Sequence, residues 1–251
     1  MEMATRFEIL PAIDLRGGRV VRLQEGDFAR ETAFASDPSA VATGFADAGA
    51  GWIHVVDLDA ARIGVPVHGQ IISELIASVG GRTRVEVAGG LRTEQAVASA
   101  LAGAAARAVV GTAAIRDPAF AGRLVDTHGA TRIVVAIDVR DDRAVGDAWS
   151  AADPGIDAED AITRLADAGV ETFEVTAIER DGLLSGPHLG LYKRLVDLDR
   201  GAIIASGGIA SLDDIESVRA IGCRGAIIGR ALYEGRLSLR ESIERYEERA
   251  D

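Results

Sequence analysis

The 251-residue sequence predicts an α/β protein, a (β/α)8 barrel of the TIM type built from two similar half-barrels. Three observations predict it. Eight short apolar runs alternate with amphipathic stretches of helical period. Most of the runs are continuous rather than alternating, as in parallel strands covered on both faces. The second half of the chain also repeats the first, and two copies of four βα units close naturally into one eight-stranded barrel of roughly 250 residues. We read residues 1–251 as one domain, with halves at approximately 1–125 and 126–251. A doubly wound open sheet also alternates strands and helices, and the repeat decides against it.

In chain order the apolar runs are FEILPAI (7–13), WIHVVDL (52–58), RVEVA (84–88), ARAVVG (106–111), RIVVAID (132–138), TFEVTAI (172–178), AIIAS (202–206) and GAIIG (225–229). Between them lie DPSAVATGFADAGA, TEQAVASALAGA, DAEDAITRLADAGV and SLDDIESVRAIG. Each opens near Asp, Ser or Thr, whose side chains cap exposed amides, and most end near Gly. The repeat is visible in the turns. Gly89 and Gly90 recur 118 positions later as Gly207 and Gly208, and Gly111 recurs as Gly229. WIHVVDLDAARIG matches TFEVTAIERDGLL at an offset of 120, and AIDLRGGRV matches AIDVRDDRA at 124, pairing Asp14 with Asp138. The offset drifts as it does when loops change length and strands do not.

Composition narrows the function. A net charge of −12 argues against a nucleic-acid or anionic-membrane binder, which needs clustered Lys and Arg, yet leaves room for one small anionic ligand. No stretch approaches the roughly 20 apolar residues that span a bilayer, and no basic-then-apolar leader opens the chain. We expect a soluble, cytoplasmic monomer. The single cysteine, Cys223, reads as a small buried thiol. His54, His68, His128 and His188 show no ligand spacing, so no metal and no cofactor is called for. Neither a Gly-x-Ser-x-Gly elbow nor a Walker loop is present.

The glycines carry the first functional signal. A Gly-Gly corner directly after a strand lets backbone approach a ligand, and its N–H groups can hold phosphate oxygens. Gly89 and Gly90 with Gly111 and Thr112 make one such pair of corners, and Gly207 and Gly208 with Gly229 and Arg230 make the other. Two matched pairs predict a ligand with a phosphate at each end. The second signal is acidic. Asp14 and Asp138 end the first and fifth strands on opposite sides of the rim, where a carboxylate is costly to bury and serves as a tuned acid or base. Pairing with Arg16, Arg19 or Arg140 would also account for them. Asp181 follows the sixth strand in ERDGLLSGP, where an Asp-Gly turn is the plainer reading. Thr176 ends that strand. One of Asp57 and Asp59 is expected to face the ligand, with pairing to Arg62 as the alternative.

Together LPAIDLRGGRVVRL, WIHVVDLDAA, VEVAGGLR, VVGTAA, AIDVR, IERDGLLSGP, IIASGGIASLDDI and AIIGRALYEG resemble the phosphoribosyl-formimino-aminoimidazole carboxamide ribotide isomerase family of histidine biosynthesis. The resemblance spans essentially the whole chain. It implies an Amadori rearrangement of an aminoaldose to an aminoketose, on a small molecule bearing two ribose phosphates. By that pattern Asp14 matches the base that removes the C2′ proton, and Asp138 and Asp181 line the site. Either of the latter two is the general acid. Thr176 matches an assisting threonine and Arg22 a substrate-contacting arginine. The chain departs from the family at Ala177, usually acidic, at Leu183, usually Thr, and at His188, usually Asn or similar.

Some relatives that resemble the chain also isomerise phosphoribosylanthranilate, using Arg two places before Trp in the loop after the fifth strand. Here Asp147 stands two places before Trp149, a candidate substrate contact, which argues against the dual role; Arg143 is the one nearby substitute. The sister cyclase of imidazole glycerol phosphate synthase typically carries Cys where this chain reads PAIDL. A non-catalytic barrel that senses sugar phosphates is the remaining alternative, and four reactive side chains at the rim argue against it.

Overall fold

The computed structural model describes residues 7–24, 26–146 and 154–247. The first half comprises β1 (Glu8–Arg16), β2 (Arg19–Gln24), β3 (Asp27–Ala35), α1 (Pro38–Asp47), β4 (Trp52–Asp57), α2 (Leu58–Ile63), α3 (Gly69–Ser78), β5 (Arg84–Ala88), α4 (Glu94–Ala102), β6 (Arg107–Val110), α5 (Thr112–Arg116) and α6 (Pro118–His128). The second comprises β7 (Ile133–Arg140), β8 (Arg143–Val145), β9 (Ile156–Asp157), α7 (Ala158–Asp167), β10 (Thr172–Ala177), α8 (Leu189–Asp197), β11 (Ala202–Ser206), α9 (Leu212–Ala220), β12 (Gly225–Ile228), α10 (Arg230–Tyr233) and α11 (Leu239–Tyr246).

The eight predicted runs become the eight parallel strands of a closed (β/α)8 barrel. They pair in the order β1, β4, β5, β6, β7, β10, β11, β12, and β12 returns to β1. That order sets β1 opposite β7 and β4 opposite β10. The four helices read from the sequence are capped as expected. Asp37 accepts from Ser39 and Ala40 amides, Thr93 from Ala96 and Asp157 from Glu159 and Asp160, while Ser211 and Asp214 form a reciprocal capping box.

The sequence reading did not resolve two antiparallel hairpins that rise from the rim. β1 turns back into β2 through Gly17 and Gly18, and β7 into β8 through Asp141 and Asp142. All four turn residues have positive φ, 54° and 74° in the first pair and 50° and 61° in the second. Two-residue hairpins need that geometry to match strand twist, and Gly and Asp tolerate it. The pairings Asp14↔Val21 and Asp138↔Val145 then occupy equivalent places.

Outward strand residues such as Ile13, Ile53, Val85, Phe173 and Val175 are buried beneath the helices. The barrel interior is different. Apolar layers of Leu10, Ala12, Trp52, Ile204 and Ile227 and of Ala88, Val109 and Val134 flank a buried ionic layer. Neighbouring strands line up His54 with Glu86 and Glu86 with Arg107, and Glu174 meets them from the opposite wall. Arg107 forks onto Glu8 at 2.9 and 3.1 Å and stacks 3.8 Å from the Trp52 ring centroid. At the N-terminal end the Ile9 amide donates to Glu247 just after α11, at 2.9 Å. No helix among the described residues is long and apolar enough to cross a membrane.

Candidate active site

The C-terminal ends of the strands enclose a cavity of ≈240 Å³ lined by Asp14, Arg22, Asp138, Thr176 and Asp181 and by the first-half corner Gly89, Gly90, Gly111 and Thr112. A smaller recess of ≈50 Å³ is lined by the second-half corner Gly207, Gly208, Gly229 and Arg230. The two share Arg22, Leu23, Asp181, Ser206 and Ile227, so Asp181 lies between the glycine corners, while Asp14 and Asp138 line the larger cavity. Every described candidate except Asp57 and Asp59 lines one of these two cavities.

Asp14 ends the inward row of β1 and its Oδ2 accepts from Arg22 Nη1 at 2.8 Å, not from Arg16, which bonds Glu31. Arg22, supplied by β2, also donates to the Ala12 carbonyl at 2.7 Å and lies 5.5 Å from the Tyr233 ring centroid. The Tyr233 hydroxyl donates to the same carbonyl at 2.8 Å. A Cβ on Gly229 would stand 2.6 Å from the Arg22 guanidinium carbon, so a side chain there would displace the head of the arginine. Across the barrel Asp138 is in register with Thr176 on the adjoining β10. Asp181 follows a single 3-10 turn, Ile178–Arg180. Burial pushes its carboxyl up to about 7; Arg22 opposes the shift, and the charges of Asp14 and Asp138 add to it. Two acidic groups beside a carboxyl that keeps its proton near neutrality are equipped to move protons in both directions.

The glycine corners have a structural reason beyond ligand binding. A Cβ on Gly89 would lie 2.2 Å from the Asp57 carbonyl oxygen, and one on Gly208 would lie 2.3 Å from that of Gly186. Their φ values of 97° and 82° are themselves glycine territory. Gly111 and Gly229 share a backbone conformation, φ/ψ −115°/−108° and −108°/−104°, each opening a short helix. Thr112 begins the first of these helices. Arg230 begins the second and donates to the Gly182 carbonyl at 2.7 Å, tying the corner to the Asp181 loop.

Asp57, expected from the sequence as a ligand contact, is absent from the lining of both cavities. It is buried and caps α2, with Oδ1 accepting from the Ala60 amide and Oδ2 from the Val67 and His68 amides. Asp59 accepts from His68 Nε2 and the Gly17 amide, both at 2.7 Å, rather than from Arg62. Trp149 and Asp147 lie outside the described residues. Arg143 is held at 2.5 and 2.7 Å by the Pro154 and Gly155 carbonyls. His188 caps α8, its Nδ1 accepting from the Leu191 amide, a role an Asn side chain also fills. Ala177 is buried, Leu183 is exposed, and burial raises the Cys223 thiol to about 12.

Sequence reasoning missed the cavity floor, where His54 and Glu174 join the lining. A polar residue flanked by apolar ones in WIHVV, RVEVA and TFEVT was the available signal. It also missed Arg92, which lines the cavity over Gly64. Among the described residues two sets gather donor atoms within 4.8 Å, His54 with Glu86 and Glu174, and Asp57 with Asp59 and His68. Pairing within the first set and amide bonds to the aspartates of the second account for both, and Arg107 already supplies a cation to Glu86 at 3.5 Å.

The fold and rim define a (β/α)8 barrel with opposed carboxylates between two glycine corners. The chain belongs to the histidine biosynthesis protein family, whose model matches residues 8–238. It is 42% identical to a protein of Geobacillus thermodenitrificans over 97% of this chain and 99% of the relative. It is 45% identical to one of Chloroflexus aggregans over 94% and 97%, and 44% identical to one of Sphingopyxis alaskensis over 94% and 96%. All three bear the name 1-(5-phosphoribosyl)-5-((5-phosphoribosylamino)methylideneamino)imidazole-4-carboxamide isomerase.

Proposed function

We propose that the chain is the isomerase for which these relatives are named, converting the N′-phosphoribosyl aminoaldose into its phosphoribulosyl aminoketose. Asp181 donates a proton to the furanose ring oxygen as the C1′–O bond breaks and the nitrogen lone pair forms C=N⁺. Asp14 then takes the C2′ proton, leaving an enaminol. The enaminol collapses to the C2′ ketone as C1′ takes up the proton held by Asp14 and the enol O–H proton passes back to restore the Asp181 acid, so the step is an isomerisation with no external oxidant or reductant. Thr176 and Asp138 line the far wall. The corners at Gly89, Gly90, Gly111 and Thr112, and at Gly207, Gly208, Gly229 and Arg230, receive the two phosphates.

The observation that carries this reading is the gathering of Asp181, buried with its pKa pushed up to about 7, into the same cavity as the Arg22-paired Asp14. Each proton transfer of this kind contributes about 10²- to 10⁴-fold. Purified protein mixed with the aminoaldose should turn it over. Asp14→Asn should retain ligand and lose turnover by about that factor. Tight binding without turnover in the parent protein would instead make it a sugar-phosphate sensor.

A further inference from the structure

The ionic layer below the acids supplies a group that the proton-transfer scheme leaves idle. His54 projects inward from β4 and lines the cavity, while its Nδ1 lies 2.8 Å from Glu86 Oε1 and 3.5 Å from Glu174 Oε1. Glu86 is on the adjoining β5 and Glu174 on β10, directly across the barrel, so the ring is held from two walls. Nδ1 is taken up by these two glutamates. Nε2 then remains for the cavity, and among the described residues no hydrogen bond to it is formed. Burial opposes charge on the ring, but the charges and hydrogen bonds of Glu174 and Glu86 outweigh it and raise the pKa of the imidazole well above the ordinary value.

We propose that His54 is a substrate contact at the cavity floor, a fixed N–H donor that takes an acceptor oxygen of the sugar lying between the two phosphate corners. Glu86 and Glu174 are its positioning residues. A buried polar donor that faces a ligand pocket discriminates strongly against a ligand lacking the matching acceptor, because the donor is then desolvated without a partner. The phosphates give the ligand its ends, and His54 fixes the depth at which the reacting carbons sit beside Asp14 and Asp181. The identity of the sugar rests on the isomerase reading; the donor does not.

The test uses the intact wild-type chain labelled with ¹⁵N-histidine. Its four histidines are few enough to sort by the spectrum of His54→Gln. Saturating aminoketose product should move the His54 Nε2 resonance and leave that of His128 in place. In Glu86→Gln the His54 ring signals should move without ligand while the ligand-induced change persists. His54→Leu should lower kcat/KM by about 10- to 100-fold, with His54→Gln recovering part of it. An unmoved Nε2 resonance in a protein that binds product and turns substrate over overturns the contact and leaves the isomerase reading standing. Ring signals indifferent to Glu86→Gln overturn the positioning role. Failure to bind product at all removes both the contact and the isomerase reading.

Discussion

Asp181 shows how one residue can serve chemistry at the expense of stability. Its carboxyl titrates near 7 in the folded protein against 3.8 in the free side chain. The folded state therefore holds this proton more tightly. The resulting stabilisation is complete below about 3.8 and lost as pH rises through about 7. We expect kcat/KM to fall tenfold per pH unit above that value as the acid form disappears. Asp181→Asn should abolish that limb along with most of the activity, and should raise the melting temperature at about pH 8 by about 2–4 °C. A profile flat from about pH 6 to 9 would remove Asp181 as the acid. Gly229→Ala makes a second prediction at this scale. Its Cβ would crowd Arg22, so activity should drop at least tenfold, chiefly in kcat, while the chain still folds. Sequence alone had led from these glycines to phosphate. It gave no hint of Arg22 or Asp57 packed against them, because close approach between distant segments leaves no mark on either segment's own pattern.

Among the elements, the strands and capped helices were the most legible. Apolar runs and Asp, Ser and Thr caps are local signals, and the structure uses them where they stand. The hairpins were illegible for the converse reason. RGGR and RDDR look like loop, and only the antiparallel register makes strands of their flanks. The β7–β8 hairpin bears on substrate range, since Arg143 is occupied by two backbone carbonyls. Phosphoribosylanthranilate should accordingly be turned over at least 100-fold more slowly than the aminoaldose, by kcat/KM, and comparable rates would show that this hairpin was misread. At the other end of the barrel, Glu247→Ala leaves the buried Ile9 amide without its acceptor. It should cost about 1–3 kcal/mol in denaturant unfolding with no change in KM.

Across the whole molecule, the repeat foretold a closed barrel with its acids opposed, and strand order sets β1 across from β7. The ionic interior was hidden because single polar residues inside apolar runs did not disturb the strand pattern. That interior has a stability signature. Burial, aided by the charge of Glu174, raises the folded-state pKa of Glu86 to about 8, and Glu174 with Glu86 raises that of His54 against the effect of burial. Each group stabilises the fold fully below its unfolded pKa and loses that contribution as pH climbs through the folded one. The melting temperature should therefore decline as pH rises through about 8, and less steeply in His54→Gln. Equal slopes would show that the layer adds nothing.

The approach of Gly208 to the Gly186 carbonyl has a mechanical consequence. With no room between the two backbones, the segment bearing Asp181 and the Gly207–Gly208 corner are held as one body. On the proposed reading, a ligand that docks its remote end at that corner clamps Asp181 in the same stroke. Lengthening the Asp181 loop to admit a different sugar would therefore shift the anchor too, so altered specificity in this scaffold has to come through coordinated changes in both segments.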